Sequence, residues 1–319
     1  MTTTTFGATL RGYRERARPD AGQRRRDAAA RPWRGVVRAG VAADRGRVEA
    51  AHRGRRPATT GGGVVTDVAV LSLGAGVQST TLLLMACHGE IVPRPVEAVF
   101  ADTQDEPAAV YRHLDWLESV STIPIRRVTK GQLSATVGDS DRFVPLPFYV
   151  RDGDGRLSML RRQCTNQYKI QPIRRHLRAN YPGQRIRLLH GISLDEAVRM
   201  RDSDVRYIQN VYPLVDKRMT RHDCLRWLER NGYPRPPKSA CYFCPFMDNA
   251  RWSAMKRDAP DEFARAVAFD DSIRTLPRVT GTAYVHRSGV PLSEVDLSTP
   301  EDHGQLGLFD DECEGYCGV

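Results

Sequence analysis

Two groups of residues in this chain have types and spacings that can do chemistry, one built on backbone and hydroxyl donors and one on sulfur. The first lies in "VAVLSLGAGVQSTTLLLMA" (Val68–Ala86), where an apolar run enters a loop of small residues and leaves as a helix-like stretch. Its pattern is Ser72-x-Gly74-x-Gly76-x-x-Ser79-Thr80. Small residues let backbone N–H groups approach an oxyanion closely, and the hydroxyls and the start of a helix add donors and a favourable dipole. The loop is therefore a candidate phosphate cradle. It fits neither common template, because a dinucleotide-binding GxGxxG needs glycine where Ser79 stands and a Walker loop needs a lysine that is absent here.

The second group is the thiols. Cys241 and Cys244 in "SACYFCPF" have the spacing of a metal knuckle or a redox pair. Cys313 and Cys317 lie close to the C-terminus in "FDDECEGYCGV". These four are the number of ligands that a tetrahedral zinc needs. Cys87, among Leu and Met, and Cys224, on the apolar side of "DCLRWLE", read as core residues.

Elements that would position these groups follow from the pattern. "DVAVLSL" (Asp67–Leu73) is a buried strand ending in the glycine loop, and Ser79–His88 a helix with Ser79 near its N-cap. Val96–Asp102 and Ile123–Thr129 are further strands, separated by a helix over about 106–119 with Pro107 in its first turn. "RDGDG" (Arg151–Gly155) is a turn, Gln167–Asn180 a helix, Arg185–Ser193 a fourth strand and Val205–Leu214 a fifth. This alternation predicts an α/β fold, a doubly wound parallel five-stranded sheet over residues 66–215, with an appended mainly helical region over 216–319. Ligands of such sheets sit beyond the carboxyl ends of the strands, which selects Ser72–Ser79, Asp102–Gln104 and Gly191–Glu196.

The net charge of +10 lies wholly in residues 1–65, which hold fifteen arginines and no lysine against five acidic residues. The remainder carries 33 basic and 33 acidic residues and is neutral. The neutral remainder thus weighs against a nucleic-acid partner for the folded part, although Arg161, Arg162, Arg174, Arg175 and Arg178 form a local cluster that would meet one. Residues 1–65 read as a disordered arm, or as sequence upstream of a start at Val64 or Val65. No apolar run approaches eighteen residues and no signal segment opens the chain, so a cytoplasmic protein without a membrane partner is expected.

Taken together, the loop and several later segments resemble the PP-loop family of adenine nucleotide α-hydrolases, most closely its phosphoadenosine phosphosulfate reductase-type branch. "FADTQDEPAAVYRHLDWLE" (Phe100–Glu118) is similar to that branch's Asp-Thr-Gly segment, with Gln104 in place of glycine. "HGISLDEAVRM" (His190–Met200) is similar to Gly-x-Arg-x-x-Glu-Ser-x-x-Arg and keeps Gly191, Glu196 and Arg199. "QCTNQYKIQPIRR" (Gln163–Arg175) resembles Cys-Cys-x-x-Arg-Lys-x-x-Pro through Cys164, Lys169 and Pro172, with Thr165 replacing the second cysteine. The loop departs from the usual Ser-Gly-Gly-x-Asp-Ser in its spacing and in lacking the acidic residue, which leaves Mg²⁺ open as a cofactor. The match covers roughly residues 66–250.

The resemblance implies that Ser72, Gly74, Gly76, Gln78, Ser79, Thr80, Asp102, Thr103, Gly191, Asp195 and Glu196 bind ATP or an adenylyl-sulfate-type nucleotide. It implies that Lys169 and Arg199 hold the reacting anionic groups, and that Cys313 or Cys317 supplies a nucleophilic thiol as the reductases' mobile tail does. By the same analogy Cys164 joins Cys241 and Cys244 around a 4Fe-4S cluster, with zinc as the other metal. The implied activity is thiol-dependent reduction of a sulfonucleotide in sulfur metabolism, with a thiol reductant or sulfur donor protein as partner. Two other readings stand beside it: ATP pyrophosphatase chemistry that adenylates a nucleic-acid or small-molecule substrate for sulfur insertion, and a non-catalytic nucleotide or redox sensor.

Overall fold

The computed structural model describes residues 67–138, 146–299 and 302, which fall within one structural unit, Val64–Val319. The arginine-rich segment 1–65 and the thiols Cys313 and Cys317 lie outside the described residues. Along the chain come β1 (Asp67–Leu73), α1 (Val77–Cys87), β2 (Glu97–Asp102), α2 (Ala108–Val120) and β3 (Ile125–Thr129). A hairpin of β4 (Tyr149–Arg151) and β5 (Leu157–Met159) precedes a π-helical stretch, Thr165–Ile170, that continues into α3 (Gln171–Asn180). Then follow β6 (Arg185–His190), β7 (Ile208–Val211), α4 (Pro213–Asp216) and α5 (Arg221–Arg230), and finally α6 (Asn249–Asp258), α7 (Pro260–Ser272) and β8 (Thr282–Tyr284).

Five strands pair in parallel in the order β3-β2-β1-β6-β7. The apolar run of β1 is central because both its faces are covered. Ala69, Leu71 and Leu73 pack with α1, α2 and α5, while Val70 on the other face packs with Ile173 and Leu177 of α3. This period of two is what a strand buried on both sides must show. The chain winds outward from β1 to β3 and then returns to place β6 on β1's free edge. Loops leaving β1 and β6 therefore diverge, and a crevice opens between them at the carboxyl ends of the strands.

A second core involves residues from both sides of the sheet segment in sequence. Leu146, Phe148, Val150 and Tyr168 pack with Phe243, Trp252, Phe269 and Val285. The three-stranded antiparallel sheet β5-β4-β8 belongs to it. The expected turn Arg151–Gly155 closes its hairpin, with Asp152 Oδ1 accepting from the N–H groups of Asp154 and Arg156. Cys224 is fully buried, and burial pushes its thiol up to about 12, while Cys87 packs at the edge of the same core. No helix among the described residues is long and apolar enough to cross a membrane.

Candidate functional site

The glycine loop leaves β1 at Leu73 and turns into α1 two residues earlier than the sequence predicts, with Gly76 as N-cap. Ser79 is thus the third residue of the helix and not its cap. Its Oγ accepts from Gly74 N–H at 3.2 Å and donates to Gly76 C=O at 3.3 Å, which closes the loop on itself. No side chain caps α1, so its first N–H groups are left for a ligand. The left-handed residue of the loop is not a glycine: fully buried Ala75 has φ +55°. That conformation costs a non-glycine residue about 1–2 kcal/mol, a strain often held at functional sites.

Gly191 closes the opposite side. A Cβ there would lie 2.6 Å from both Ser79 N and Ser79 Cα, so only glycine lets the end of β6 approach the first turn of α1. Gln78 ties the two loops together. Its Nε2 donates to Glu196 Oε2 at 3.2 Å and to Ser193 Oγ at 3.4 Å, and its Oε1 accepts from Arg221 at 3.2 Å. Glu196 in turn holds Arg199 in an ion pair of 2.6 Å.

A cavity of about 410 Å³ opens here, a size usual for small-molecule sites. Ser72, Gly74, Gly76, Gln78, Ser79, Gly191, Glu196, Lys169 and Arg199 all line it. Its apolar part is made by Phe100, Ala101, Ile170, Ile173, Leu188 and Ile208. Seven cationic side chains (Lys169, Arg174, Arg199, Arg201, Arg221, Lys238, Arg251) face three carboxylates (Glu196, Asp202, Asp204). The cavity is strongly positive although the chain beyond residue 65 is neutral. Arg174 is tied to Asp204, while Arg175 is exposed on the helix face. Burial pushes the His190 imidazole down to about 4, so it lines the cavity as a neutral ring, its Nε2 3.1 Å from Asn210 Oδ1.

Among solved structures, phosphoadenylyl-sulfate (PAPS) reductase from Candida auris, in a phosphate complex, is similar at 12% identity and a TM-score of 0.34. The match covers 54% of this chain and 77% of that one. No family model matches the chain, and no curated protein does.

Four residues expected at the nucleotide do not line the cavity. Thr80 is fully buried, its Oγ1 3.0 Å from His113 Nε2. Asp102 closes its own turn: Oδ1 accepts from Gln104 N–H at 2.7 Å and from the Tyr111 hydroxyl at 2.8 Å. Gln104 has φ +60° there, in the left-handed region that favours glycine. Thr103 lies on the thiol side, its Oγ1 3.4 Å from Cys241 Sγ. Asp195 is exposed and accepts from the Arg221 N–H at the start of α5. Conversely, Arg221 and Arg251 face the cavity and carry no motif, and Lys238 joins them from the loop that ends in the Cys-x-x-Cys pair; each reaches the cavity from more than 140 residues beyond the glycine loop, a proximity that only the tertiary fold creates.

Cys164, Cys241 and Cys244 line one small pocket of about 40 Å³ together with Thr103, Thr165, Arg162 and Lys169. Cys164 caps the π-helical turn and Lys169 lies within it, so the extra residue of that turn sets both. Burial pushes the Cys241 thiol up, the nearby Glu106 adds to this, and Lys169 opposes it. Arg162 donates to Thr165 Oγ1 at 2.6 Å and lies over the Phe246 ring. Three sulfurs without histidine or carboxylate in the lining are a donor set that fits iron–sulfur or zinc and not Mg²⁺. Among the described residues, however, no three of His, Cys, Asp or Glu stand close enough to hold a metal ion as they are.

Lys169 borders both spaces. Its ammonium lies 3.3 Å from Oε1 of Glu106, whose other oxygen accepts from Ser239 at 3.2 Å. Glu106 is fully buried, so the wall between the two spaces is built around one paired charge.

Proposed function

We propose that this chain is a PP-loop-type enzyme that binds ATP or an adenylyl-sulfate-type nucleotide in the cationic cavity and reduces a sulfonucleotide with a thiol. The observation that carries the reading is the excess of cations around an uncapped helix N-terminus at the strand-order switch, beside an apolar patch suited to a base. The N–H groups of α1 and the side chains of Ser79, Lys169 and Arg199 would hold phosphate and sulfate oxygens. Charge building on the leaving phosphate would then be met by donors already in place.

In the reaction, the thiolate of Cys313 or Cys317 attacks the sulfur of the sulfonucleotide. An S–S bond forms as the S–O bond to phosphate breaks, and the electron pair leaves on the nucleotide phosphate. A second thiol, from the tail or from a thiol reductant, attacks the thiosulfonate, releases sulfite and forms a disulfide. Cys164, Cys241 and Cys244 would hold a 4Fe-4S cluster, or zinc in its place. A cluster bound by three cysteines would offer one iron to a further ligand. A cytoplasmic setting suits thiols that work in the reduced state.

The shared border at Lys169 favours a second reading, in which ATP adenylates an acceptor, pyrophosphate leaves, and sulfide-level sulfur from a sulfur donor protein then displaces AMP. Anaerobic incubation with adenosine 5′-phosphosulfate, its 3′-phospho form or ATP separates these. With a thiol reductant present, sulfite release together with AMP, or with adenosine 3′,5′-bisphosphate from the 3′-phospho form, supports the reductase, and ATP–pyrophosphate exchange without sulfite supports the adenylating enzyme. Binding without either would sink both and leave a sensor. Iron, sulfide and zinc analysis of anaerobically purified protein checks the metal, and a metal-free protein would remove that part of the proposal.

A further inference from the structure

Gln78 is the second residue of α1 and is buried, yet it forms part of the cavity wall. A side-chain amide offers two N–H donors on one atom and a carbonyl acceptor on the other. Both donors of Gln78 are used, one by Glu196 Oε2 at 3.2 Å and one by Ser193 Oγ at 3.4 Å, and its oxygen accepts from Arg221 Nη1 at 3.2 Å. An oxyanion needs a donor, and this side chain has none left to give. It joins elements instead. Glu196 lies in the 3₁₀ turn Leu194–Arg199 after β6, and Arg221 opens α5. Because Glu196 also pairs with Arg199, four side chains run in the order Arg199, Glu196, Gln78, Arg221 along the cavity, with a cation at each end. The polarity of each link is fixed: the carboxylate accepts from both neighbours, and the amide donates toward it while accepting from the guanidinium. Arg221 Nε is buried without a hydrogen-bond partner, so Gln78 holds that guanidinium by one arm only.

We infer that Gln78 is a positioning residue, which acts on a bound ligand only through Arg221 and, by way of Glu196, through Arg199. That the ligand is a nucleotide rests on the function proposed above. The order of donors and acceptors makes the role specific to an amide. Gln78→Glu would place a carboxylate oxygen where Nε2 now lies 3.2 Å from Glu196 Oε2, and like charges that close repel. Exchanging the two residue types restores the order. In Gln78→Glu with Glu196→Gln, the amide at position 196 accepts from Arg199 and donates to the carboxylate at position 78, which still accepts from Arg221.

Two readouts on the full chain test this: calorimetric titration with ATP, and phenylglyoxal labelling of Arg199 and Arg221 read by peptide mass spectrometry, which needs no ligand. Gln78→Met keeps the side chain's length and loses its bonds. It is expected to raise Arg221 labelling and to weaken ATP by about tenfold, the worth of one hydrogen bond to a charged group. Gln78→Glu should weaken ATP at least as much. Glu196→Gln alone should weaken it by about threefold, although it removes a negative charge from a cationic cavity, and the double exchange should return to within about threefold of wild type. Tighter ATP binding in Glu196→Gln, or a double exchange no better than Gln78→Glu, overturns the positioning role, as does unchanged labelling in Gln78→Met. Labelling that rises in Gln78→Met while wild type binds no ATP upholds the positioning role and overturns the nucleotide reading. Thermal melts that match wild type exclude unfolding as the cause; if Gln78→Met melts lower, the double exchange, which keeps every link of the chain, decides alone.

Discussion

The cavity at the glycine loop and the pocket of the three cysteines share Lys169 and differ in almost everything else. One encloses about 410 Å³, is lined by seven cations and faces a helix N-terminus whose donors are already aimed. The other encloses about 40 Å³ and has sulfurs that are not gathered into a ligand set. The difference is one of preorganisation. The proposed anion binding would rely on backbone amides and on arginines held by Gln78 and Glu196, all of which the folded chain fixes by itself. A thiolate site needs deprotonated sulfur, and burial alone drives Cys241 the other way, so that pocket depends on whatever joins it.

Gly191→Ala should damage the glycine-loop cavity most severely and leave the thiol pocket intact. Its Cβ would overlap the backbone of Ser79, so stability should fall by about 1–3 kcal/mol and ATP affinity by roughly 100-fold as the α1 donors shift. Native thiol titration should be unchanged; a variant that binds ATP normally would show that the close approach is not needed.

Acid should act on both cores, because burial lowers His190 and His113 near the glycine loop and His286 in the second core. His190 and His113 are both pushed down to about 4 by burial, from an ordinary value near 6.5. Between those values the unfolded chain binds the protons and the folded chain does not, so stability is full above about pH 6.5 and falls toward pH 4. The His190 contribution is roughly 2–3 kcal/mol. Denaturant melts should trace this slope, and His190→Asn should flatten part of it; a slope unaltered by that change would assign the acid sensitivity elsewhere.

Glu106→Gln tests the shared wall. Loss of the buried charge facing Lys169 and Ser239 should cost about 1–2 kcal/mol and change both ATP affinity and Cys241 alkylation rate. An effect on one region alone would mean that they are not coupled through this residue. The smallest effect is expected for Ala75→Gly, which relieves a left-handed alanine and should raise stability by about 0.5–1 kcal/mol, read as a shift in melting temperature. No gain would mean that the loop is unstrained at Ala75.

Much of the scaffold is legible in the sequence because it is periodic. The alternation in β1 and the apolar runs of β2 and β6 report burial directly, and the strand-end rule then points to the loops at Gly74 and Gly191. Shorter strands such as β4 and β8 are not legible, since three residues carry too little pattern and their pairing joins residues about 130 apart. The extra residue that makes Thr165–Ile170 a π-helical turn also leaves no local trace. Among the site residues, Asp102 and Thr80 are polar, follow or enter the right elements, and are used up by Tyr111 and His113. Arg221 and Arg251 look like surface arginines until the fold brings them to the cavity. A charge count over residues 66–319 even argues against a cationic site, because the charge is balanced overall and concentrated locally.

The glycine-loop cavity is the proposed site of an anionic adenine nucleotide. Isothermal titration of ATP into the full chain at about 50 mM and about 500 mM salt tests it most directly, since the two conditions differ strongly in screening. The geometry predicts one site per chain, with affinity that weakens as salt rises and is lost in Gly191→Ala. Binding that ignores both salt and Gly191→Ala, or no binding at all, would contradict it.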